Sequence, residues 1–199
     1  DVRYRRALSA AINRKDINQV IFFGLAKESG NTALPESPLY DAEFAKMWMK
    51  EDQGLANRLL DEIGLSKRDG EGIRLLPDGR RLEFTVETAG ESTEETDILD
   101  LIKQDLIGVG IKIYPRSTQR DVFRRRITAG QTIMVASTGM DNARVASEME
   151  PDALAPTTTA QFQWPRWGQF YETGGREGEE PALLEVKELV ELHRAWRRS

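Results

Sequence analysis

The chain holds 199 residues, 39% of them hydrophobic, enough for one compact domain or one large lobe of something bigger. Its 28 Lys and Arg nearly balance 33 Asp and Glu, for a net charge of -5, which argues against a nucleic-acid partner because that would favour a basic face and a high pI. No cysteine is present, so disulfides, thiolate nucleophiles and Cys-based zinc sites are excluded, and no apolar run approaches the roughly 18 residues that span a bilayer.

In chain order, residues 2–23 read as helix, with Ala7, Leu8, Ala11 and Ile12 at helical spacing and Asn13 placed to cap a second segment carrying Ile17, Val20 and Ile21. Gly24 ends it, and a loop with Pro35, Ser37 and Pro38 leads to a short helix from Asp41. Asp52 then caps a helix in which Leu55, Ala56, Leu59, Leu60 and Ile63 share a face, with Gly64 at the left-handed C-cap. Ile73 to Leu76, the turn Pro77-Asp78-Gly79, and Leu82, Phe84 and Val86 alternating with Glu83, Thr85 and Glu87 predict a hairpin with one solvated strand face.

The period then changes. Ser92-Thr93-Glu94-Glu95 is a capping box for a helix carrying Ile98, Leu101, Ile102 and Leu106, closed by Gly108 and Gly110. Ile111 and Ile113 mark a strand, and Thr118 with Asp121 starts a helix through Phe123 and Ile127 to Gly130. Thr132 to Ala136 suits a buried strand. This β-α-β-α-β order predicts an α/β class with neighbouring parallel strands and right-handed crossovers. Residues 143–180 hold Pro151, Pro156, Pro165 and Gly174-Gly175 without a long periodic run, and read as an irregular wrapping segment. Pro181 sits at a plausible first helical position before Leu184, Glu188, Val190 and Trp196. The chain opens on Asp1 with no initiator Met or signal peptide and closes on Ser199 within a helical pattern, so both ends read as cut.

Reactive groups are few. His193, the one histidine, reads as a surface residue of the last helix and receives no catalytic role. Neither Glu94-Glu95 nor Glu179-Glu180 has calcium-loop spacing, and there is no G-x-G-x-x-G, G-x-x-x-x-G-K-[ST] or G-x-S-x-G, so no metal, cofactor or catalytic residue is assigned. Arg124-Arg125-Arg126 with Arg120 fans out on a helix and reads as a solvated face. Two candidates for ligand contact remain. In open parallel sheets ligands bind beyond the carboxyl ends of the strands, and the last strand runs into Gly139-Met140-Asp141-Asn142. A carboxylate there faces a cationic group, or else Asp141 and Asn142 form an Asx turn. The aromatics Trp164, Trp167, Phe170 and Tyr171 either line a concave site for a peptide or sugar or pin their loop to the domain.

Several segments, in order, resemble a known family. Val2-Arg3-Tyr4-Arg5-Arg6-Ala7-Leu8-Ser9-Ala10-Ala11-Ile12-Asn13-Arg14 resembles the V-R-x-A-L-x-x-A-I-D/N-R helix of family 5 extracellular solute-binding proteins, which include dipeptide-, oligopeptide- and nickel-binding members. Residues 56–64, 78–86, 102–113 and 123–134 are similar to its A-x-x-L-L-D-E-A-G, D-G-x-x-L-x-L-x-V, helix-strand and A-G-x-Y-D segments, so the likeness covers roughly residues 1–142. The resemblance implies a periplasmic-binding-protein-like (type II) lobe, with a mixed, partly parallel sheet flanked by helices. Residues 1–199 would be the carboxy-terminal lobe of a two-lobe protein whose amino-terminal half is missing. It implies capture of a small, peptide-like solute without catalysis, delivery to an ABC transporter membrane permease, and a periplasmic or extracellular location. It also places the pairing of the ligand's α-amino group on Asp141, where a G-W-x-x-D pattern has Ser137 and Thr138 in place of its Gly and Trp. Nickel-chelate or oligosaccharide binding by the same fold, and an α/β enzyme domain such as a transferase, are the alternatives.

Overall fold

Asp1 opens the first helix by accepting the Arg3 backbone N–H, and α1 runs Val2–Ala11 before Ile12 turns extended. Asn13 then accepts the Asp16 N–H and starts α2, Arg14–Phe22, so the long helical stretch is split at the capping asparagine. A computed structural model describes residues 1–90, 92–137, 139 and 151–198. It divides into two compact units, residues 1–30 with 42–118, and residues 31–41 with 119–199.

In the first unit a 3-10 turn, Phe44–Lys46, precedes α3, Gln53–Glu62, whose cap Asp52 accepts the Leu55 N–H at 2.7 Å. Helix α1 packs on α3 through small side chains, Ala7, Ala10, Ala11 and Ala56, all 1% exposed or less, which lets the two backbones approach closely. Strand β1, Glu83–Thr88, leads through α4, Thr93–Gly108, to β2, Lys112–Ser117. The strands pair in parallel, Glu83 opposite Lys112 and Thr88 opposite Ser117, with α4 packed on β2. The predicted β-α-β crossover is therefore present, with helices flanking a parallel pair. The predicted hairpin is reduced to antiparallel bridges, Arg68 with Arg74 and Leu75 with Arg81, beside the Leu76-to-Gly79 turn. The expectation of a solvated strand face fails at Glu87, which is 2% exposed.

Arg74, 1% exposed, fastens this unit. Its guanidinium donates to Val109 O beyond α4 at 2.7 Å, to Leu65 O beyond α3, to Asn57 Oδ1 on α3 at 2.7 Å, and to Asp61 Oδ1 at 2.5 Å. One cation thus satisfies carbonyls that helix ends leave without intrahelical donors. Gly110 makes that approach possible: at φ 82° it is left-handed, and a Cβ there would lie 2.8 Å from Gly72 O and 2.9 Å from Arg74 Cγ.

The second unit contains α5, Arg120–Thr128, a two-residue strand β3, Met134–Val135, a 3-10 turn Pro151–Ala153, α6, Pro165–Glu172, and α7, Leu184–Trp196. Thr118 does not cap α5; Gln119 occupies the cap with no side-chain hydrogen bond, and the Thr118 N–H instead donates to Thr88 O, prolonging the strand ladder. The predicted buried strand is only half-buried, and Ile133 is 81% exposed. An apolar run without alternation does not by itself say which faces are covered. The segment read as irregular contains α6, whose Pro165 occupies the first turn, where a missing N–H is harmless. Gly168 on α6 is buried, and a Cβ there would collide with the Thr158 carbonyl, so the helix rests directly on that stretch of backbone. Helix α7 begins three residues after the buried Pro181 and seats Val186, Val190 and His193. Among the described residues no helix is long and apolar enough to cross a membrane.

Candidate functional site

Because β1 and β2 run in the same direction and in register, they deliver their last residues to one end of the pair. There Glu87 stands opposite Arg116, and Thr88 opposite Ser117. Arg116 Nη2 donates to Glu87 Oε1 at 2.8 Å, joining a carboxylate side chain that is 3% exposed to a guanidinium that is 48% exposed. A buried carboxylate requires such a partner, and directly opposed charges on parallel neighbours supply it. Beside the pair, Thr88 Oγ1 accepts the Gly90 N–H at 3.1 Å and lies 3.3 Å from Ser117 Oγ. The result is a polar strand end with a held guanidinium at its edge, in the position where ligands sit on open parallel sheets. Sequence reading missed Glu87 and Arg116. Their opposite charge was visible, but the register that opposes them is a property of the pairing.

In the second unit, Trp164 and Trp167 come together with Gln163, Pro165 and Arg166 around a cavity of about 170 Å³ at the start of α6. Both indoles are half-buried. Trp164 Nε1 is buried and meets no acceptor. Arg166 donates through Nη1 to Gln169 Oε1 at 2.9 Å and lies 3.6 Å from Glu179 Oε1, so its charge is balanced locally. Phe170 and Tyr171 pack edge to face at 5.4 Å on the same helix.

Gly139 is exposed, and a Cβ there would approach Asn31 Oδ1 to 2.7 Å. Asp141 and Asn142 lie outside the described residues.

His193 is not the surface residue its helix position suggested. It is 9% exposed, and its Nε2 lies 2.5 Å from Asp152 Oδ1, while Arg197 Nη2 donates to Asp152 Oδ2 at 2.9 Å. Burial raises the Asp152 carboxyl, but the His193 hydrogen bond and the Arg197 charge outweigh it and hold the group below the usual carboxylate range. This clamp ties the 3-10 turn to α7. Thr157 Oγ1 joins the same cluster, 3.4 Å from Asp152 Oδ1 and 3.5 Å from His193 Nε2.

Comparison with known proteins agrees with this architecture. The family profile described as "Bacterial extracellular solute-binding proteins, family 5 Middle" matches residues 1–153. The oligopeptide-binding protein AppA of Bacillus subtilis is 29% identical over 117 residues, 57% of this chain and 21% of that protein. A solved oligopeptide-binding protein OppA superposes with a TM-score of 0.80 at 31% identity, covering 98% of this chain and 32% of that one. The periplasmic binding protein MelB of Agrobacterium fabrum, solved with stachyose, shares the fold at a TM-score of 0.74 and 18% identity, covering 100% of this chain and 29% of its own. The chain thus spans a minor part of the length of each of these proteins.

Proposed function

Because the chain belongs to family 5 of the bacterial extracellular solute-binding proteins, we propose that the protein containing it captures a small peptide-like solute outside the cytoplasmic membrane and presents it to the permease of an ABC importer, making and breaking no bond. Residues 1–199 would form the carboxy-terminal lobe, and a ligand contacting two lobes would favour the closed state by population shift. The observation that carries this reading is the parallel β1–β2 pair, whose carboxyl ends gather Glu87, Thr88, Arg116 and Ser117 where such folds bind solutes. Gly139, Asp141 and Asn142, which follow β3 in sequence, are assigned to ligand contact, with Asp141 receiving the solute's α-ammonium.

The test is Asp141→Asn in the full-length protein, titrated calorimetrically with tetrapeptides. A charge-assisted hydrogen bond to a desolvated ammonium is worth about 1.5–3 kcal/mol, and Asn keeps the shape and turn chemistry while removing the charge. Affinity should fall while the melting temperature holds. Unchanged affinity would retire the assignment, and tighter binding would indicate an anionic or neutral solute. A second reading, oligosaccharide capture, is supported by the paired indoles of Trp164 and Trp167 on their cavity. Native mass spectrometry of the full-length protein from its source, searching for co-purified solute, separates the two.

A further inference from the structure

We infer that the tip of α2, formed by Val20, Phe23 and Leu25, is the apolar surface on which the amino-terminal part of the full-length protein seats. The inference rests on the reading of residues 1–199 as the carboxy-terminal lobe and names the contact that joins this lobe to the rest of the chain.

An exposed valine or leucine is ordinary on a protein surface. Phe23 differs because of its backbone. It is the C-cap of α2 at φ 55° and ψ 28°, a left-handed conformation that glycine or asparagine adopts readily and a bulky side chain adopts only at an energetic cost. Trp48 is the other non-glycine residue at positive φ among the described residues, and there the cost is offset inside this chain. Its carbonyl accepts Ser9 Oγ at 2.7 Å, and the Arg6 guanidinium lies 4.4 Å from the centre of its ring. Phe23 is 79% exposed, and its ring has no aromatic or cationic partner among the described residues.

The turn that presents this ring is tightly held. The Phe23 and Gly24 N–H groups both donate to Asn18 O, and the Leu25 N–H donates to Phe22 O at 2.9 Å. The Asn18 side chain bonds Ala26 in both directions, donating to its carbonyl at 2.9 Å and accepting its N–H at 3.1 Å. These bonds keep Leu25, 87% exposed, in the same turn as Phe23, and Val20, 52% exposed, lies three positions before it in the last turn of α2. A strained aromatic, fixed in place and unrewarded within its own lobe, calls for an apolar partner outside it.

The size of the tip decides what that partner is. Three side chains offer far less than the roughly 1,200–2,000 Å² that a stable contact between separate molecules buries. Tethered parts of one polypeptide meet at high effective concentration and need less. The chain covers 32% of OppA and its matched segment 21% of AppA, so the greater part of such a protein lies outside residues 1–199 and is available to cover the tip.

The experiment uses the full-length protein without solute and compares Phe23→Gly and Leu25→Ala with the wild type in urea unfolding. A covered and an uncovered ring give opposite signs. Uncovered, Phe23→Gly relieves the left-handed backbone and leaves the unfolding midpoint unchanged or raised. Covered, the lost ring contacts outweigh that relief and the midpoint falls. The expected result is a lowered midpoint in both variants. Hydroxyl-radical labelling of the wild type, read by mass spectrometry, tests the same point without a substitution and so holds even where a variant fails to fold. Phe23 and Leu25 should be protected in the native protein relative to the free peptide that carries them. A midpoint that Phe23→Gly leaves unchanged or raises overturns the inference, as does labelling of Phe23 at the rate of the free peptide. A wild-type dimer in sedimentation that Phe23→Gly dissociates overturns it in favour of a second copy as the occupant. Tetrapeptide binding by the wild-type protein in the face of those results would leave solute capture standing, so the two failures are distinguishable.

Discussion

Arg74 joins the ends of two helices through one guanidinium, and its neighbours set what its removal costs. Asp61 is half-exposed, so that ion pair contributes little by itself, whereas the carbonyl of Leu65 has its donor in the buried fork and that of Val109 accepts from both Arg74 and Arg68. Arg74→Met should lower stability by about 1–3 kcal/mol, the cost of leaving the buried Leu65 carbonyl unmet, as read from urea unfolding. Lys at this position should recover little, because one ammonium cannot span carbonyls that a planar fork reaches together. Asp152 sets a different, pH-dependent term. Its carboxyl is held below its ordinary value by His193 and Arg197 against the opposing effect of burial. The folded state therefore binds this proton more weakly than the unfolded chain. The resulting stabilisation is present above the ordinary carboxylate pKa of about 3.9 and is lost as pH falls through the depressed value. Melts at stepped pH should show this acid-side loss, and Asp152→Asn should remove that component; an identical profile in the variant would refute the clamp.

At the scale of elements, helix starts separate true caps from apparent ones. Asp52 accepts the Leu55 N–H at 2.7 Å, and its own N–H donates to Ala10 O at 2.8 Å, so it both begins α3 and ties it to α1. Asp52→Ala should cost about 1 kcal/mol in urea unfolding, the usual worth of an N-cap. Thr118 looks equivalent in sequence but does not cap α5, since Gln119 stands between them. Thr118→Ala should therefore spare α5 and cost clearly less than the Asp52 substitution in the same assay. If the two losses match, the cap assignment of α5 is wrong. The strand ladder explains the difference: once the Thr118 N–H is committed to Thr88 O, the chain turns into helix one residue later.

At the scale of the whole molecule, the chain spans 32% of the OppA structure it superposes on, and the remaining part of the protein would supply the other contacts to a cleft ligand. The 199-residue chain alone should bind a tetrapeptide at least tenfold more weakly than the full-length protein, because the loss of about 1.4 kcal/mol of contact already costs that factor. Equal affinities by calorimetry would contradict a two-lobe site. Within the chain, each of the two compact units has its own buried residues, Leu60, Ile111 and Ile113 in one and Phe123, Val186 and Val190 in the other.

Local chemistry was enough to place what depends on neighbours in sequence. Asn13, Asp52 and Ser92 cap helices by reaching three residues onward, Gly64 and Gly110 take left-handed turns, and a strand, a helix and a strand of these lengths close a parallel unit. The family signature lies in these same segments. Tertiary structure decided whatever depends on residues distant in the chain. Register placed Glu87 opposite Arg116, turning a strand position that alternation marks as solvated into a buried charge. Packing of α7 against the 3-10 turn made His193 a clamp residue through Asp152, 41 positions away. Folding of 163–167 into the start of α6 gathered two indoles around one cavity. Hydrophobic periodicity reports which side of an element is covered, but the partner that covers it, and the polar groups that must then find each other, are set only when the elements dock.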